Sequence, residues 1–143
     1  GRLMVLGGPG DRGAAEPVKA AVPRSRCIDL VERESLLMCF AALGRARLFI
    51  GNDSGLMHLA AAAGVPTLGL FGPSDEALYA PWGPLARTVR GPRSFEQFRQ
   101  MDPSLSQAIC HMMELPTAAV IAAAEALVEE TRSERRRCPI PTT

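Results

Sequence analysis

Short apolar runs alternate with longer segments of helical periodicity along most of the chain. Five runs have the length and flanking residues of buried strands, the last being the weakest: 2–8, 26–31, 47–51, 66–72 and 86–91. Between and after them, five segments are predicted to be helices: 11–22, 34–46, 56–63, 74–79 and 117–130. Because the strands alternate with helices and are apolar on both faces, the pattern predicts an α/β domain with a mostly parallel sheet between two helical layers.

Individual residues indicate where several of these elements end. Ser35 is a suitable N-cap for the second helix, and Gly44 is a suitable stop. Pro17 is compatible with the first helix only in its first turn, because proline lacks the N–H that a helix interior requires. Residues 91–108 are polar and are predicted to be irregular.

Length and composition narrow the class of protein. The 143 residues suffice for one core and show no linker, so we expect a domain over 1–130 and a basic, disordered tail over 131–143. The net charge of +1 gives no general attraction for nucleic acid. No apolar run is long enough to span a bilayer and no signal peptide is visible, which predicts a cytoplasmic protein. Since the first residue is not methionine, we expect a fragment of a longer protein.

The cysteines and histidines do not have the spacing of a metal site. Cys27, Cys39, Cys110 and Cys138 lie far apart and include no Cys-x-x-Cys pair. We therefore expect reduced thiols, no metal and no cofactor.

The third predicted strand runs directly into Asn52-Asp53-Ser54-Gly55, where a helix is expected to begin. Ligands of open parallel sheets bind outside the carboxyl ends of the strands. The free N–H groups and the dipole of a helix start suit a phosphate, and a glycine lets the ligand approach the backbone. The sequence therefore predicts a phosphate site here. The alternative is that Asp53 or Ser54 only caps the helix.

Four side chains are candidates to contact the ligand at this site. Asp53 is suited to accept hydrogen bonds from sugar hydroxyls beside the phosphates. His58 lies one turn after Ser54 and is expected to point back toward the ligand. Ser74 follows the next strand and either contacts the ligand or caps a helix. Asp11 follows the first strand and either binds ribose hydroxyls or is a solvated turn residue.

At this point the sequence resembles a known family. The segment 52–75 is similar to the characteristic segment of the bacterial heptosyltransferases, which use ADP-heptose to build the lipopolysaccharide inner core. The residues that fit it are Asp53, Ser54, Gly55, Leu56, His58, Ala61, Ala62, Gly64, Pro66, Phe71, Gly72, Pro73 and Ser74. The segment 110–128 also resembles the end of the proteins of that family.

The resemblance implies a glycosyltransferase of the GT-B type, with two Rossmann-like halves and the active site between them. This chain resembles the C-terminal half, which holds the nucleotide-sugar donor. The catalytic aspartate and the lipid-linked saccharide acceptor belong to the other half, so the fragment alone is expected to be inactive. By the resemblance, Ser54, Gly55 and Leu56 offer their backbone to the diphosphate, Asp53 contacts the sugar, and His58 lies near it.

The resemblance extends to three further positions. The backbone of Glu34 would read adenine, Asp11 approximates the acidic residue on ribose, and Ser74 fits the serine or threonine that follows Gly-Pro after the next strand of the family. A lysine that the family carries near the diphosphate has no counterpart here, because Lys19 lies too far along the chain. No Asp-x-Asp is present, as in a metal-independent family.

Other readings remain open at the level of sequence. The enzyme could use another sugar donor, or it could be a hexose epimerase of the GT-B type. Epimerases follow Asp-Ser-Gly with a second glycine and a glutamate, where this chain has Leu56 and His58. A binding module without chemistry is the third possibility. The arginine-rich end, 132–137, is either a solvated tail or a contact with anionic lipid at the inner membrane.

Overall fold

The computed structural model of the chain describes residues 1–32, 35–104 and 112–137, with side chains as far as residue 133. The strands are β1 (Leu3–Gly7), β2 (Cys27–Val31), β3 (Phe49–Asn52), β4 (Thr67–Phe71) and β5 (Ala86–Arg90). The helices are α1 (Arg12–Ala20), α2 (Leu36–Leu43), α3 (Gly55–Ala62), α4 (Glu76–Tyr79), α5 (Phe95–Met101) and α6 (Thr117–Arg137), with a 3₁₀ turn at Arg24–Arg26.

The five strands pair in parallel, as the sequence predicts, but they form two sheets. β1 pairs with β2, and β3 and β5 both pair with β4. Within the described residues β1 and β3 are not paired by backbone hydrogen bonds, so each is the edge strand of its own sheet. Apolar periodicity identifies a strand but not its neighbour, and the division into two sheets was therefore not predictable from it.

Side chains on opposite faces of β1 enter two different cores, because successive residues of a strand point to opposite sides. Val5 packs with Ala15 of α1 and Val31 of β2. Met4 and Leu6 pack against the cluster formed by α2, α3 and the segment before β4, whose buried members are Leu43, Ala60 and Val65. Helices therefore cover both faces, which is the expected three-layer arrangement.

Helix α3 lies close to β4 because the sheet has a glycine at the contact. A Cβ at Gly69 would lie 2.7 Å from Sδ of Met57, a residue that is fully buried. The absence of a side chain at position 69 thus lets α3 approach the sheet. This contact fixes the helix whose first residues form the candidate site.

The second helix begins and ends where the sequence signals predict. The hydroxyl of Ser35 accepts a hydrogen bond from the Met38 N–H at 3.3 Å, and the helix ends at Gly44. Among its apolar residues, Cys39 and Leu43 are buried, whereas Leu36 and Phe40 are exposed.

Two expectations about helices were wrong and one boundary differs. α1 begins at Arg12, so Pro17 lies in its interior rather than in its first turn. α5 occupies part of the segment predicted to be irregular and buries Phe98 in the core. α6 continues past Glu130 to Arg137, and residues 138–143 lie outside the described residues.

A membrane-spanning helix would need a long apolar stretch. None of the helices in the described part of the chain is both long and apolar enough to cross a bilayer.

Candidate functional site

Three strands end side by side at one edge of the larger sheet. Asn52 at the end of β3 pairs with Leu70, and Phe71 at the end of β4 pairs with Arg90. The segment Asn52–Gly55 and the loop that follows β4 therefore lie at neighbouring carboxyl ends, as the sequence predicts. This edge is where open parallel sheets bind ligands.

The first turn of α3 offers unused hydrogen-bond donors. The backbone of Ser54 is extended (φ −162°, ψ 165°) and its carbonyl accepts from the N–H groups of Met57 and His58, at 3.1 and 3.4 Å. The N–H groups of Ser54, Gly55 and Leu56 have no backbone or side-chain acceptor within the described residues. Three consecutive free donors at a helix start form a suitable cradle for an anion.

The side chain of Ser54 does not cap the helix. It occupies the N-cap position but makes no capping hydrogen bond, and it is exposed. Ser54 is thus the N-cap residue by its backbone position, but its hydroxyl does not make the hydrogen bond expected of a capping serine.

Gly55 leaves room directly beside these donors. A Cβ built on this residue would meet no other atom within 4 Å. The space next to the backbone is therefore open to solvent, and a ligand can reach the N–H groups without displacing protein atoms.

Asp53 and His58 converge beside the same helix start. The Asp53 Oδ1 and His58 Nε2 atoms lie 3.9 Å apart, with 22% of the aspartate side chain and 47% of the histidine side chain exposed. The histidine thus points back toward the N-terminus of α3, as helical geometry predicts. An acceptor and an imidazole together can bind the hydroxyls of a sugar next to the phosphate position.

The loop after β4 differs from the expected arrangement. Asp75, rather than Ser74, is the N-cap of α4, and its Oδ1 accepts from the Ala77 N–H at 2.9 Å. The capping role considered for Ser74 is therefore wrong. Ser74 is half-buried, and its carbonyl accepts a hydrogen bond from Arg90.

Asp11 closes the loop after β1. Its Oδ2 atom accepts from the Gly8 N–H at 2.8 Å, and the residue is exposed at the start of α1. It lies at the end of the smaller sheet, and one carboxylate oxygen is engaged by the loop. Glu34 lies outside the residues that the structure describes.

Glu32 lies at the carboxyl end of the smaller sheet and was missed by the sequence reasoning. It follows β2 with a φ of 58°, and its carboxylate accepts from the Gly10 N–H at 2.6 Å and from Nε of Arg12 at 3.0 Å. The hydrogen bond from the Gly10 N–H, and to a smaller extent the one from Arg12, hold the pKa of Glu32 below its usual range. The interaction joins the loops after β1 and β2, which are far apart in sequence and therefore gave no signal.

Metal ligands were not expected here. Among the residues that the structure describes, no group of three or more His, Cys, Asp or Glu side chains is arranged to hold a metal ion.

Comparison with known proteins identifies relatives of this fold and site. The family model described as glycosyltransferase family 9 (heptosyltransferase) matches residues 1–108. The chain is 28% identical over 104 residues to lipopolysaccharide heptosyltransferase 2 of Escherichia coli, covering 71% of this chain and 30% of that protein. It is 29% identical over 91 residues to lipooligosaccharide heptosyltransferase 2 of Haemophilus influenzae, covering 62% of this chain and 26% of that protein.

Two solved structures have the same fold. The glycosyl transferase family 9 protein of Veillonella parvula DSM 2008 superposes with a TM-score of 0.75 at 29% identity, over 90% of this chain and 37% of that one. The E. coli ADP-heptose lps heptosyltransferase II gives a TM-score of 0.71 at 22% identity, over 92% of this chain and 37% of that one. The chain thus spans about a quarter to about a third of the length of these proteins.

Proposed function

Because the chain belongs to glycosyltransferase family 9, we propose that it is the donor-binding half of a heptosyltransferase that uses ADP-heptose. The observation that carries this proposal is the group of three free N–H donors at Ser54–Leu56 beside the open side of Gly55. These donors bind the diphosphate of the donor. The positive end of the α3 dipole adds about 0.3–1 kcal/mol per charge at an exposed site.

The other residues of the edge have separate roles in this proposal. Asp53 accepts hydrogen bonds from the heptose hydroxyls, and His58 lies beside the sugar. Ser74 approaches the donor from the neighbouring loop, Asp11 binds the ribose, and the backbone of Glu34 contacts adenine. The family favours transfer over epimerisation, which agrees with Leu56 and His58 at positions where epimerases carry glycine and glutamate.

The order of the strands supports a role as part of a larger protein. A further parallel strand between β1 and β3 would give the order 3-2-1-4-5-6 of doubly wound nucleotide-binding sheets, with β1 and β2 as its second and third strands. We propose that the longer protein supplies this strand. It also supplies the half that holds a lipid-linked saccharide of the lipopolysaccharide core, at the cytoplasmic side of the membrane.

In this mechanism each half of the protein has a separate role. The donor half orients the anomeric carbon of the sugar, and the other half supplies a base to the acceptor hydroxyl. A general base contributes roughly 10²–10⁴-fold, and positioning two substrates contributes more. No step requires a metal ion, because the N–H donors of α3 stabilise the diphosphate that leaves.

A transfer assay tests this division. The longer protein is expected to transfer heptose from ADP-heptose to a lipid A–Kdo acceptor, and to remain active in EDTA. Residues 1–143 alone are expected to give no transfer, with or without magnesium, because they lack the acceptor half. Transfer by the isolated chain would show that the catalytic base lies within it. Loss of activity of the longer protein in EDTA would contradict the metal-independent mechanism.

A further inference from the structure

Arg90, the last residue of β5, is surrounded by acceptors from the loop after β4. Its Nε donates to the carboxylate of Glu76, at 2.8 Å to Oε1 and 2.9 Å to Oε2. Its Nη1 donates to the carbonyls of Gly72 and, at 3.5 Å, of Arg93. Its Nη2 donates to the carbonyl of Ser74 and to Oε2 of Glu76. Only 14% of the Arg90 side chain is exposed.

In this arrangement no N–H donor of the guanidinium remains available to bind a ligand. An arginine side chain has five N–H donors, and the acceptors within the described residues are sufficient for all of them. Its charge is balanced by Glu76, whose pKa is held below the usual range by the hydrogen bonds from Arg90. An arginine that bound the diphosphate directly would need free donors facing the site. Arg90 instead links a strand end to a loop.

The loop that Arg90 holds belongs to the edge of the sheet that carries the candidate site. Gly72 and Ser74 follow β4, and β4 pairs directly with β3, which leads to Asn52. Glu76 begins α4, so a single side chain fixes both the loop and the helix after it. The two carbonyls cannot keep their positions by bonding each other, since both are acceptors.

We propose that Arg90 is a positioning residue, which holds the Gly72–Asp75 loop in the place where it completes the donor site at Ser54–Leu56. The inference rests on the proposed function for its ligand, but the anchoring of the loop can be measured without one. Lysine at position 90 would keep the charge but could not reach two carbonyls and a carboxylate at once, because it has no planar fork of donors.

The test compares Arg90→Lys with Arg87→Lys in the 143-residue chain. Arg87 lies on the same strand and also bonds two carbonyls, of Pro84 and Ala86, and a carboxylate, of Glu130. Arg87 lies three positions before Arg90. It donates hydrogen bonds to residues at the start of β5 and in α6, and none of these acceptors belongs to the Gly72–Asp75 loop. It is therefore a matched control for the loss of a guanidinium.

Amide hydrogen exchange is the first readout. Arg90→Lys is expected to speed exchange of the amides of Ala77, Leu78 and Tyr79, which all donate to Asp75 at the end of the loop, at least tenfold, whereas Arg87→Lys leaves them unchanged. Equal exchange in the two variants and the wild type would overturn the anchoring role, whatever the ligand is.

Titration with ADP is the second readout, at a temperature at which both variants are fully folded. Arg90→Lys is expected to raise the Kd of ADP about tenfold and Arg87→Lys to leave it unchanged. Faster loop exchange with an unchanged Kd would overturn the link between the loop and the site. No ADP binding by the wild-type chain would instead contradict the proposed function, and would remove the donor site that this inference requires.

Discussion

Gly55→Val is expected to abolish the binding of ADP to the 143-residue chain while the fold is retained. The wild-type affinity is expected to be near millimolar, about −4 kcal/mol, because the proposed function assigns a further strand and part of the phosphate site to the longer protein. A branched side chain at position 55 would occupy the space through which the diphosphate reaches the free N–H groups. Calorimetry with ADP measures the loss.

The structure predicts that this substitution affects the ligand and not the fold. A Cβ at position 55 meets no protein atom within 4 Å, and the φ of this glycine is not positive. Valine is also a better helix former than glycine, so α3 does not lose stability. A loss of ADP binding would therefore mean that the valine side chain blocks the ligand from the backbone N–H groups, and not that α3 has unfolded.

Gly44→Val is the matched control, since it places the same side chain at the end of α2, where a Cβ has only ordinary contacts of 3.7 Å. Gly44 precedes β3 and lies away from the carboxyl edge of the sheet. It is expected to leave the affinity for ADP unchanged. Equal binding by Gly55→Val and the wild type would exclude the phosphate role of this helix start.

Asp53→Ala is expected to lower the turnover of the longer protein at least tenfold while ADP still binds. The carboxylate lies 3.9 Å from the imidazole of His58 and 22% of the side chain is exposed, so it is available to sugar hydroxyls. A hydrogen bond to a charged group contributes about 1.5–3 kcal/mol. If this hydrogen bond is lost in the transition state, turnover falls by a factor of about ten or more.

Asp53→Asn separates charge from hydrogen bonding at this position. It keeps the size and one acceptor oxygen, so it is expected to retain more turnover than Asp53→Ala. Steady-state kinetics with ADP-heptose and calorimetry with ADP measure the two effects. Normal turnover of Asp53→Ala would show that this residue has no role in holding the sugar.

Several local features of the fold were predictable because their signals lie within one turn of the chain. The cap at Ser35 and the stop at Gly44 are of this kind. α5 was missed although its signal was present, since Ser94 and Gln97 form a reciprocal capping box. Pro17 was expected in the first turn because a proline in the interior of a helix is costly. It lies in the interior of α1, a helix that packs Ala15 against Val5 of β1.

The contacts that shape the edge of the sheet depend on distant residues and could not be predicted. Arg90 bonds Glu76 across 14 positions, and Glu32 bonds Gly10 across 22. Each pair meets only because two parallel strands end side by side, in a register that periodicity does not specify. By contrast, the position of Asn52–Gly55 followed from a single strand and the helix after it.

The most direct test of the account is a titration of the ¹⁵N-labelled 143-residue chain with ADP, observed by amide resonances. The N–H groups of Ser54, Gly55 and Leu56 are free in the described residues, so a diphosphate that binds them must change their environment. The account predicts that these three amides show the largest shifts and that Gly55→Val removes them. Saturable shifts confined to other parts of the chain, with these three amides unmoved, would contradict it.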